Sequence, residues 1–318
     1  MKKLLPLIAS IFAAAAVLVS CATTVPVQVT KPAEVNMAKY KKLLVQDFRY
    51  PREYWYDDAE RVSRYASSKL VEDLTATGYF EVSNARDIAN WSDLSPVELG
   101  KRTGASALFV PEILQFARTH NYETREIKNK NEDTGEVTTS YVSYILVTDT
   151  VDVSYRVVDT ATGSVYVTRT FKEKDTREVK DEDYRTIPSQ TDNGQAMLNT
   201  IIQKITRQLA PYTVTEARYM ISDKTKSDDM KEADALVKKA QYDAAYSKFL
   251  GIWEATKNPA AGGNAALLLE ILGRLDEAVV LMEKVSAETG DKVVNTRLAE
   301  LRKMKKDQEL LQQQMSAQ

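Results

Sequence analysis

Apolar and polar residues alternate through the middle of the chain. Between residues 141 and 158 most odd positions are apolar and most even ones are polar, which is the period of a half-buried β-strand. Residues 159–163 have turn composition, and 164–172 predict the returning strand of a hairpin. The charged residues 173–193 are interpreted as a loop. The polar insert 118–140 predicts a second, longer hairpin tip.

Shorter apolar segments flank this region and differ in period. Ser95-Pro96-Val97-Glu98 has the sequence of a helix-capping box, and Pro111 indicates a sheet edge or a bulge. The order of segments predicts an α/β sandwich with a mixed sheet, β-α-β-α-β-β-β-α, over residues 39–211. Besides the hairpin, we expect strands at 42–48, 79–82 and 105–114 and helices at 58–77, 95–104 and 195–209.

The chain changes character after residue 211, where alanine, lysine and leucine become frequent. Residues 212–228 are interpreted as a connector, and 229–318 as an all-α domain with a polar tail that frays. The segment 242–245 (YDAA) recurs as 275–278 (LDEA), a step of 33 residues.

This repeat resembles the tetratricopeptide repeat, whose period is 34. The Trp-Leu-Gly signature is missing and there are about two copies, so a plain helical bundle is the alternative. The resemblance completes the predicted fold class: α+β, an N-terminal α/β sandwich followed by a tetratricopeptide-like helical domain.

The N-terminus has the layout of an export signal. Two lysines precede an apolar run of 16 residues, 4–19, which is shorter than the roughly 20 residues of a transmembrane helix. The run ends in Leu18-Val19-Ser20-Cys21, which resembles the lipobox of bacterial lipoproteins. Because Cys21 is the only cysteine of the chain, a chance match in an ordinary signal peptide is the weaker alternative.

The lipobox resemblance implies a cleaved signal peptide (1–20), acyl chains such as palmitate on Cys21, and a lipidated tether (21–38). Two or three acyl chains anchor a protein firmly to a membrane. Ala22 follows the cysteine where an aspartate would retain the protein at the inner membrane of enteric bacteria. We therefore expect the outer membrane, facing the periplasm, with the inner membrane as the less favoured location.

Three segments of the predicted sandwich resemble a known group of envelope proteins. They are 41–48 (KKLLVQDF), 77–82 (TGYFEV) and 99–108 (LGKRTGASAL). They are similar to steps of the CsgG-like and LpoB-like lipoproteins and to the N-terminal domain of TolB. The resemblance implies binding or assembly, because those relatives are secretion-channel subunits or activators of cell-wall enzymes.

Charge and motifs exclude several function classes. Removing residues 1–20 takes away two lysines and changes the net charge from −2 to −4, whereas a nucleic-acid binder would show a basic face. His120 is the only histidine and has no neighbour in sequence suited to a zinc site or a catalytic triad. We expect no enzyme activity, no catalytic residues, no metal and no cofactor.

Aromatic residues are the candidate partner-binding residues, because tyrosine and tryptophan are frequent at binding hot spots. In the loop before the first predicted helix, the alternative is that the rings cover a sheet edge. The candidates are Tyr50, Tyr54, Trp55 and Tyr56 in that loop, and Tyr246 and Trp253 in the repeat region.

The sequence favours a lipid-anchored, non-enzymatic adaptor that binds an unidentified protein partner. One alternative is an oligomeric subunit of a curli-type secretion channel, which needs apolar alternation over about 9–11 residues in each membrane-spanning strand. The insert 118–140 is too charged for that requirement. The other alternative is an activator of a cell-wall enzyme, and all three are compatible with an oligomer.

Overall fold

The computed structural model describes residues 23–50, 57–225 and 227–316. They form two compact units: the α/β unit holds 32–212 and 311–316, and the helical unit holds 23–31 and 213–310. In chain order the elements are β1 (Thr24–Lys31), β2 (Lys42–Val45), α1 (Asp57–Ala76), β3 (Glu81–Asn84), α2 (Pro96–Thr103), β4 (Ala107–Lys130), β5 (Val137–Asp159), β6 (Val165–Lys180), α3 (Gln190–Leu209), β7 (Tyr212–Tyr219), α4 (Asp228–Lys238), α5 (Tyr242–Thr256), α6 (Pro259–Ile271), α7 (Leu275–Thr289) and α8 (Lys292–Ser316).

The α/β unit is built on one mixed sheet with strand order β3-β2-β4-β5-β6. β2 runs parallel to β3 and to β4, whereas β4, β5 and β6 are antiparallel neighbours. The helical unit holds α4 to α7 and most of α8. The fold class is therefore α+β, with an α/β sandwich followed by an all-α region.

Both faces of the sheet carry a core, and the alternation of β5 directs its apolar positions to the larger one. Its odd positions from 145 to 157 are buried, and Val153 and Tyr155 among them pack with Leu70 of α1 and Ile201 of α3. On the opposite face, Leu99 of α2 joins a smaller cluster with other buried residues of the strand starts. Burying each such side chain contributes about 1.5–3 kcal/mol.

The predicted caps of α2 are confirmed. The Ser95 side chain accepts a hydrogen bond from the Glu98 amide, and the Glu98 carboxylate accepts one from the Ser95 amide. Gly104 ends the helix at a φ of 71°, a left-handed conformation that costs glycine little.

The two hairpins close through the same turn. In the first, the Asn131 side chain accepts hydrogen bonds from the amides of residues 133 and 134, and Gly135 has a φ of 71°. In the second, the Asp159 carboxylate accepts from the amides of residues 161 and 162, and Gly163 has a φ of 74°. The insert 118–140 is thus a continuation of both strands into a long hairpin tip.

β6 corrects the prediction that residues 173–193 form a loop. The strand continues to Lys180, and a 3-10 helix, Asp181–Thr186, leads on to α3. Charged residues predicted a loop, but β6 is an edge strand whose charged side chains reach solvent while its backbone pairs with β5.

The helical unit repeats with the step of 33 residues that the sequence predicts. Ala240 and Gly273, 33 positions apart, both have a positive φ between two helices, at 54° and 77°. The same step relates Lys257 and Gly290, which end α5 and α7 at φ values of 54° and 63°. α6 is the central helix of the unit, and its residues 260–269 are all buried.

β1 corrects the expectation of an extended tether over residues 21–38. Residues 24–31 form a strand that pairs with β7, inside the predicted connector 212–228. The Gln28 side chain donates to Thr215, 2.9 Å away, and Lys31 pairs with Glu216 at 2.9 Å. Val25 is buried in the helical unit, so the valine alternation of this segment is a strand period.

The polar C-terminal tail is also ordered, contrary to the expectation that it frays. α8 continues to Ser316, and Gln314 is fully buried in the α/β unit. Its side chain donates to the Ala33 carbonyl at 2.8 Å and accepts from the Ala33 amide at 2.9 Å. In the part of the chain that is described, none of the helices has the length and apolarity needed to span a bilayer.

Candidate functional site

The predicted site residues fall into three groups. Cys21, Tyr54, Trp55 and Tyr56 lie outside the described residues. Tyr50 lies at the end of a described segment and is 37% exposed. Tyr246 and Trp253 are both on α5, but their surroundings differ completely.

Trp253 is not a surface residue, which corrects its assignment as a partner-binding candidate. It is fully buried in the core of the helical unit. A Cβ on Gly262 of α6 would lie 2.9 Å from the indole ring and 2.5 Å from a Val285 methyl group. The indole therefore fills the space between α5 and α6, and its function is packing.

Tyr246 lies in an open groove of about 370 Å³ on the helical unit. α5 and α7 form the two walls and Leu269 of α6 contributes to the floor. The lining is mostly apolar, and the residues that line it are Tyr246, Leu250, Leu269, Asp276, Glu277, Val280, Leu281 and Lys284.

Val280 is the unusual residue of this groove because 66% of its surface is exposed. It belongs to a row on α7 formed by Asp276, Val280 and Lys284, which are spaced four residues apart and so lie on one helix face. An apolar side chain exposed in an apolar groove is typical of an interaction surface. The helical period shows that these three residues share one face of α7, but it does not show what would cover that face.

Most charges at the groove are already neutralised. The Arg274 guanidinium donates to Glu277 at 2.7 Å and lies 5.6 Å from the Tyr246 ring centre. This hydrogen bond lowers the pKa of the Glu277 carboxyl below its usual value. Asp276 pairs with Lys305 at 2.7 Å. Lys284 is a lining charge with no ion pair among the described residues.

The α/β unit contains a polar cluster that is not predictable from the sequence, because its members come from four separate elements. Arg118 of β4 donates two hydrogen bonds to Asp149 of β5, at 2.7 and 2.6 Å. Asn193 of α3 donates to Asp149 at 2.7 Å and to Asp175 of β6 at 2.9 Å. Arg177 completes the cluster by donating to Asp175 at 2.8 Å.

The cluster stabilises charges beneath α3. Burial alone would raise the pKa of the Asp149 carboxyl, but the hydrogen bonds from Arg118 and Asn193 outweigh burial, and the pKa is lowered. Every member has a partner, so we find no free general acid or base here. His120 follows Arg118 on the same face of β4. Its Nε2 atom lies 2.9 Å from the Tyr184 hydroxyl, so it too is engaged in a hydrogen bond.

A second cavity of about 400 Å³ opens at the amino ends of β2 and β4. Lys39, Lys101 and Tyr40 are among its lining residues. The Tyr40 hydroxyl donates to Asp159 at 2.9 Å, and Lys39 lies 3.8 Å from the same carboxylate. Apart from Lys101, these groups are engaged with one another. Within the described residues, no three His, Cys, Asp or Glu side chains are placed to hold a metal ion.

Comparisons with known proteins give only distant likenesses. No family model matches the chain, and no curated protein matches it. Solved chains with some similarity include the PelC dodecamer from Paraburkholderia phytofirmans, at 15% identity and a TM-score of 0.32, covering 59% of this chain and 99% of that one.

Two further solved chains are described as bacterial lipoproteins. Lipoprotein GNA1162 from Neisseria meningitidis is 13% identical with a TM-score of 0.30, over 52% of this chain and 96% of that one. A minor lipoprotein from Acinetobacter baumannii is 16% identical with a TM-score of 0.24, over 54% and 93%. TM-scores below 0.5 carry no argument about what this chain does.

Proposed function

We propose that this chain is a lipid-anchored, non-enzymatic envelope protein that binds a protein partner through the groove of its helical unit. The observation that carries the proposal is the exposure of Val280 inside an apolar groove. Burying such a side chain against a partner contributes about 1.5–3 kcal/mol. Grooves between two helices commonly receive the apolar face of a third helix.

The occupant that fits the groove is an amphipathic helix with an acidic side chain beside its apolar face. Val280, Leu250 and Leu281 would contact the apolar face. Lys284 would meet the acidic side chain, because the other lining charges are paired within the chain. Charge complementarity of this kind fixes the register and orientation of a partner.

Anchoring and location follow in the proposal from the N-terminal sequence. Acyl chains on Cys21 hold the protein to a membrane of the bacterial envelope, and Ala22 favours the outer membrane, facing the periplasm. A protein fixed in this way brings its partner to the membrane surface. An activator of a cell-wall enzyme would be one such adaptor, and a curli-type channel subunit stays the alternative that the sequence resemblance implies.

The proposed lack of catalysis rests on the engagement of reactive groups. His120 is bound to Tyr184, and the Asp149 carboxylate is held by Arg118 and Asn193. General acid–base catalysis needs a titratable group within reach of a substrate. Each of these groups instead completes a contact inside the α/β unit.

The groove is tested by site-specific photocrosslinking in cells that make the protein naturally. A benzophenone amino acid in place of Val280 is expected to give one discrete protein adduct. The control position is Val293 on α8, which is 49% exposed and does not line the groove. We expect no adduct there.

Charge reversal adds a second readout to the same experiment. Lys284→Glu is expected to weaken the Val280 adduct severalfold by opposing the acidic side chain of the partner. Lys292→Glu, an exposed lysine outside the groove, should leave the adduct unchanged. An equal adduct from Val293, or no adduct from Val280, would contradict the proposal.

A further inference from the structure

The long hairpin extends past the rest of the sheet. β6 ends where Lys180 faces Tyr144, and beyond that row β4 and β5 continue as a two-stranded ribbon to the turn at residues 131–136. Two tyrosines, Tyr122 and Tyr141, are the most exposed large hydrophobic side chains among the described residues, at 74% and 71%. Neither has a role in the groove proposed above.

Both tyrosines lie on the same face of the long hairpin, Tyr122 one row before the end of β6 and Tyr141 on the two-stranded ribbon. The register pairs Tyr122 with Ile145 and Glu126 with Tyr141, and residues directly opposite each other point to one side of a sheet. We call this side the tyrosine face. Its members on β4 and β5, from the row of Tyr122 to the turn, are Tyr122, Thr124, Glu126, Lys128 and Lys130 of β4 and Val137, Thr139, Tyr141, Ser143 and Ile145 of β5.

The other face of the ribbon stiffens it. Arg125 pairs with Glu123 and with Glu178 of β6, each at 2.8 Å. Its guanidinium also lies 4.7 Å from the centre of the Tyr144 ring. An isolated two-stranded hairpin is marginally stable in water, and these contacts join the ribbon to the end of β6.

The base of the tyrosine face is fixed as well. The His120 ring lies 6.5 Å from the Tyr122 ring at an interplanar angle of 25°. His120 is itself held by the Tyr184 hydroxyl at 2.9 Å. A ring that is already positioned loses little conformational entropy when a ligand stacks on it.

The spacing of the tyrosines suits an extended ligand. They are four residues apart along the strands and on neighbouring strands, so their Cα atoms are roughly 14 Å apart. Between them lie the hydroxyls of Thr124 and Ser143, 3.4 Å from each other. An extended polymer lying along the ribbon would meet a ring, then hydroxyls, then a second ring.

The chemistry of the face selects among ligand classes. Glu126 and Lys128 form an ion pair at 3.0 Å, which leaves only Lys130, at the tip, as an unpaired charge. Nucleic acids and anionic lipids are bound by clusters of basic residues, which this face lacks. Ile145 and Val179, in the row of Tyr122, are buried or half-buried, so Val137 is the one exposed aliphatic side chain on this face among the described residues, whereas the centre of a protein interface is largely apolar.

We propose that the tyrosine face binds a neutral glycan strand. The electron-rich faces of Tyr122 and Tyr141 would stack on the C–H groups of two separate sugar rings. Thr124, Ser143 and Thr139 would exchange hydrogen bonds with sugar hydroxyls. Two contacts on one strand reinforce each other, so a long strand binds more tightly than a short one.

The test uses the full lipidated chain in a detergent without a sugar headgroup. Calorimetry with the β-1,4-linked hexamers of N-acetylglucosamine and of glucose is expected to show binding of at least one. The corresponding dimer should bind about tenfold more weakly, because it reaches only one tyrosine.

Variants locate the site. The double variant Tyr122→Ala/Tyr141→Ala is expected to lose about tenfold or more in affinity, since each ring contact is lost. Tyr219→Ala removes another exposed tyrosine, 51% exposed on β7, and should bind as the unmodified chain does. Circular dichroism would show that both variants keep the fold.

Three results would overturn the glycan proposal. They are the absence of binding to both hexamers, undiminished binding by the double variant, and loss of the Val280 adduct in the double variant. The last result would assign the tyrosine face to the protein partner. Failure of glycan binding with an intact Val280 adduct would leave the groove proposal standing, so the two proposals fail separately.

Discussion

At the scale of single residues, Asp223 shows how one carboxylate organises the entry to the first repeat. It accepts hydrogen bonds from the amides of Thr225 and Ser227, from the Thr225 hydroxyl and from Asn258. Partial burial opposes its charge, but the hydrogen bonds outweigh burial and lower its pKa to about 2. The ordinary value of an aspartate is about 4.

This depressed pKa predicts an acid-sensitive stability. The charged carboxylate stabilises the folded state fully above about pH 4, and the effect disappears as the pH falls from about 4 to about 2. Asp223→Asn should lower the free energy of unfolding at pH 7 by about 1 kcal/mol after solvent screening. At pH 2 the variant and the unmodified chain should have nearly equal stability.

Urea unfolding followed by circular dichroism at pH 7 and at pH 2 measures this difference. The control is Glu254→Gln, which neutralises an exposed carboxylate of the same unit that makes no hydrogen bond or ion pair within the described residues. It should have little effect at either pH. A loss for Asp223→Asn that is equally large at pH 2 would refute the role of its charge.

The candidate residues of α5 show what a sequence can indicate at this scale. Tyr246 and Trp253 are both aromatic and seven residues apart, so they lie on the same face of α5. Only the position of α6 distinguishes them, since it covers Trp253 and leaves Tyr246 in the groove. The helical period places Val280 outside the buried face of α7, but the sequence does not indicate that it borders an apolar groove.

At the scale of elements, replacing either of two helical glycines by alanine is expected to change stability in opposite directions. Gly262 lies on α6, where a Cβ would be 2.5 Å from a Val285 methyl group and 2.9 Å from the Trp253 ring. Gly251 lies on α5, where a Cβ would have no atom within 4 Å. Alanine favours a helix over glycine by roughly 0.5–1 kcal/mol at either position.

The two substitutions should therefore differ in sign. Gly251→Ala is expected to stabilise the helical unit by about 0.5–1 kcal/mol. Gly262→Ala should destabilise it by about 1–3 kcal/mol, because overpacking exceeds the gain in helix propensity. Urea midpoints of the two variants measure the difference, and a stabilised Gly262→Ala chain would show that α5, α6 and α7 are not packed as described.

Element prediction succeeded where one period dominates a segment. β5 and the capped helix α2 follow directly from alternation and from the Ser95–Glu98 pair. β1 was missed because Pro26 and Pro32 suggested a tether, although Val25, Val27 and Val29 alternate. The end of β6 was missed because its charges are those of a loop, and only its pairing with β5 makes it a strand.

At the scale of the whole molecule, each unit is assembled from two separate parts of the chain. The α/β unit takes its last helical residues, 311–316, from the C-terminus, and the helical unit takes β1 from the described N-terminal segment. The predicted boundary at 211 lies beside the division between Tyr212 and Thr213, whereas the boundaries at 39 and 229 do not separate the units. Long-range pairings of this kind leave no local signal in a sequence, since both partners are ordinary polar or alternating segments.

Gln314 tests whether the C-terminal residues stabilise the α/β unit. Its side chain makes two hydrogen bonds with the backbone of Ala33, and its main-chain carbonyl accepts a third from the Tyr79 hydroxyl at 3.1 Å. Gln314→Ala would leave the Ala33 amide and carbonyl unpaired in a buried place, at a cost of about 1–3 kcal/mol. Gln313→Ala, at an exposed position one residue earlier, should cost almost nothing. Because the affected contacts lie in the α/β unit, urea unfolding followed by circular dichroism should give a lower midpoint for the Gln314 variant alone. Equal midpoints for the two variants would mean that the helix end adds no stability, and that the α/β unit is complete without residues 311–316.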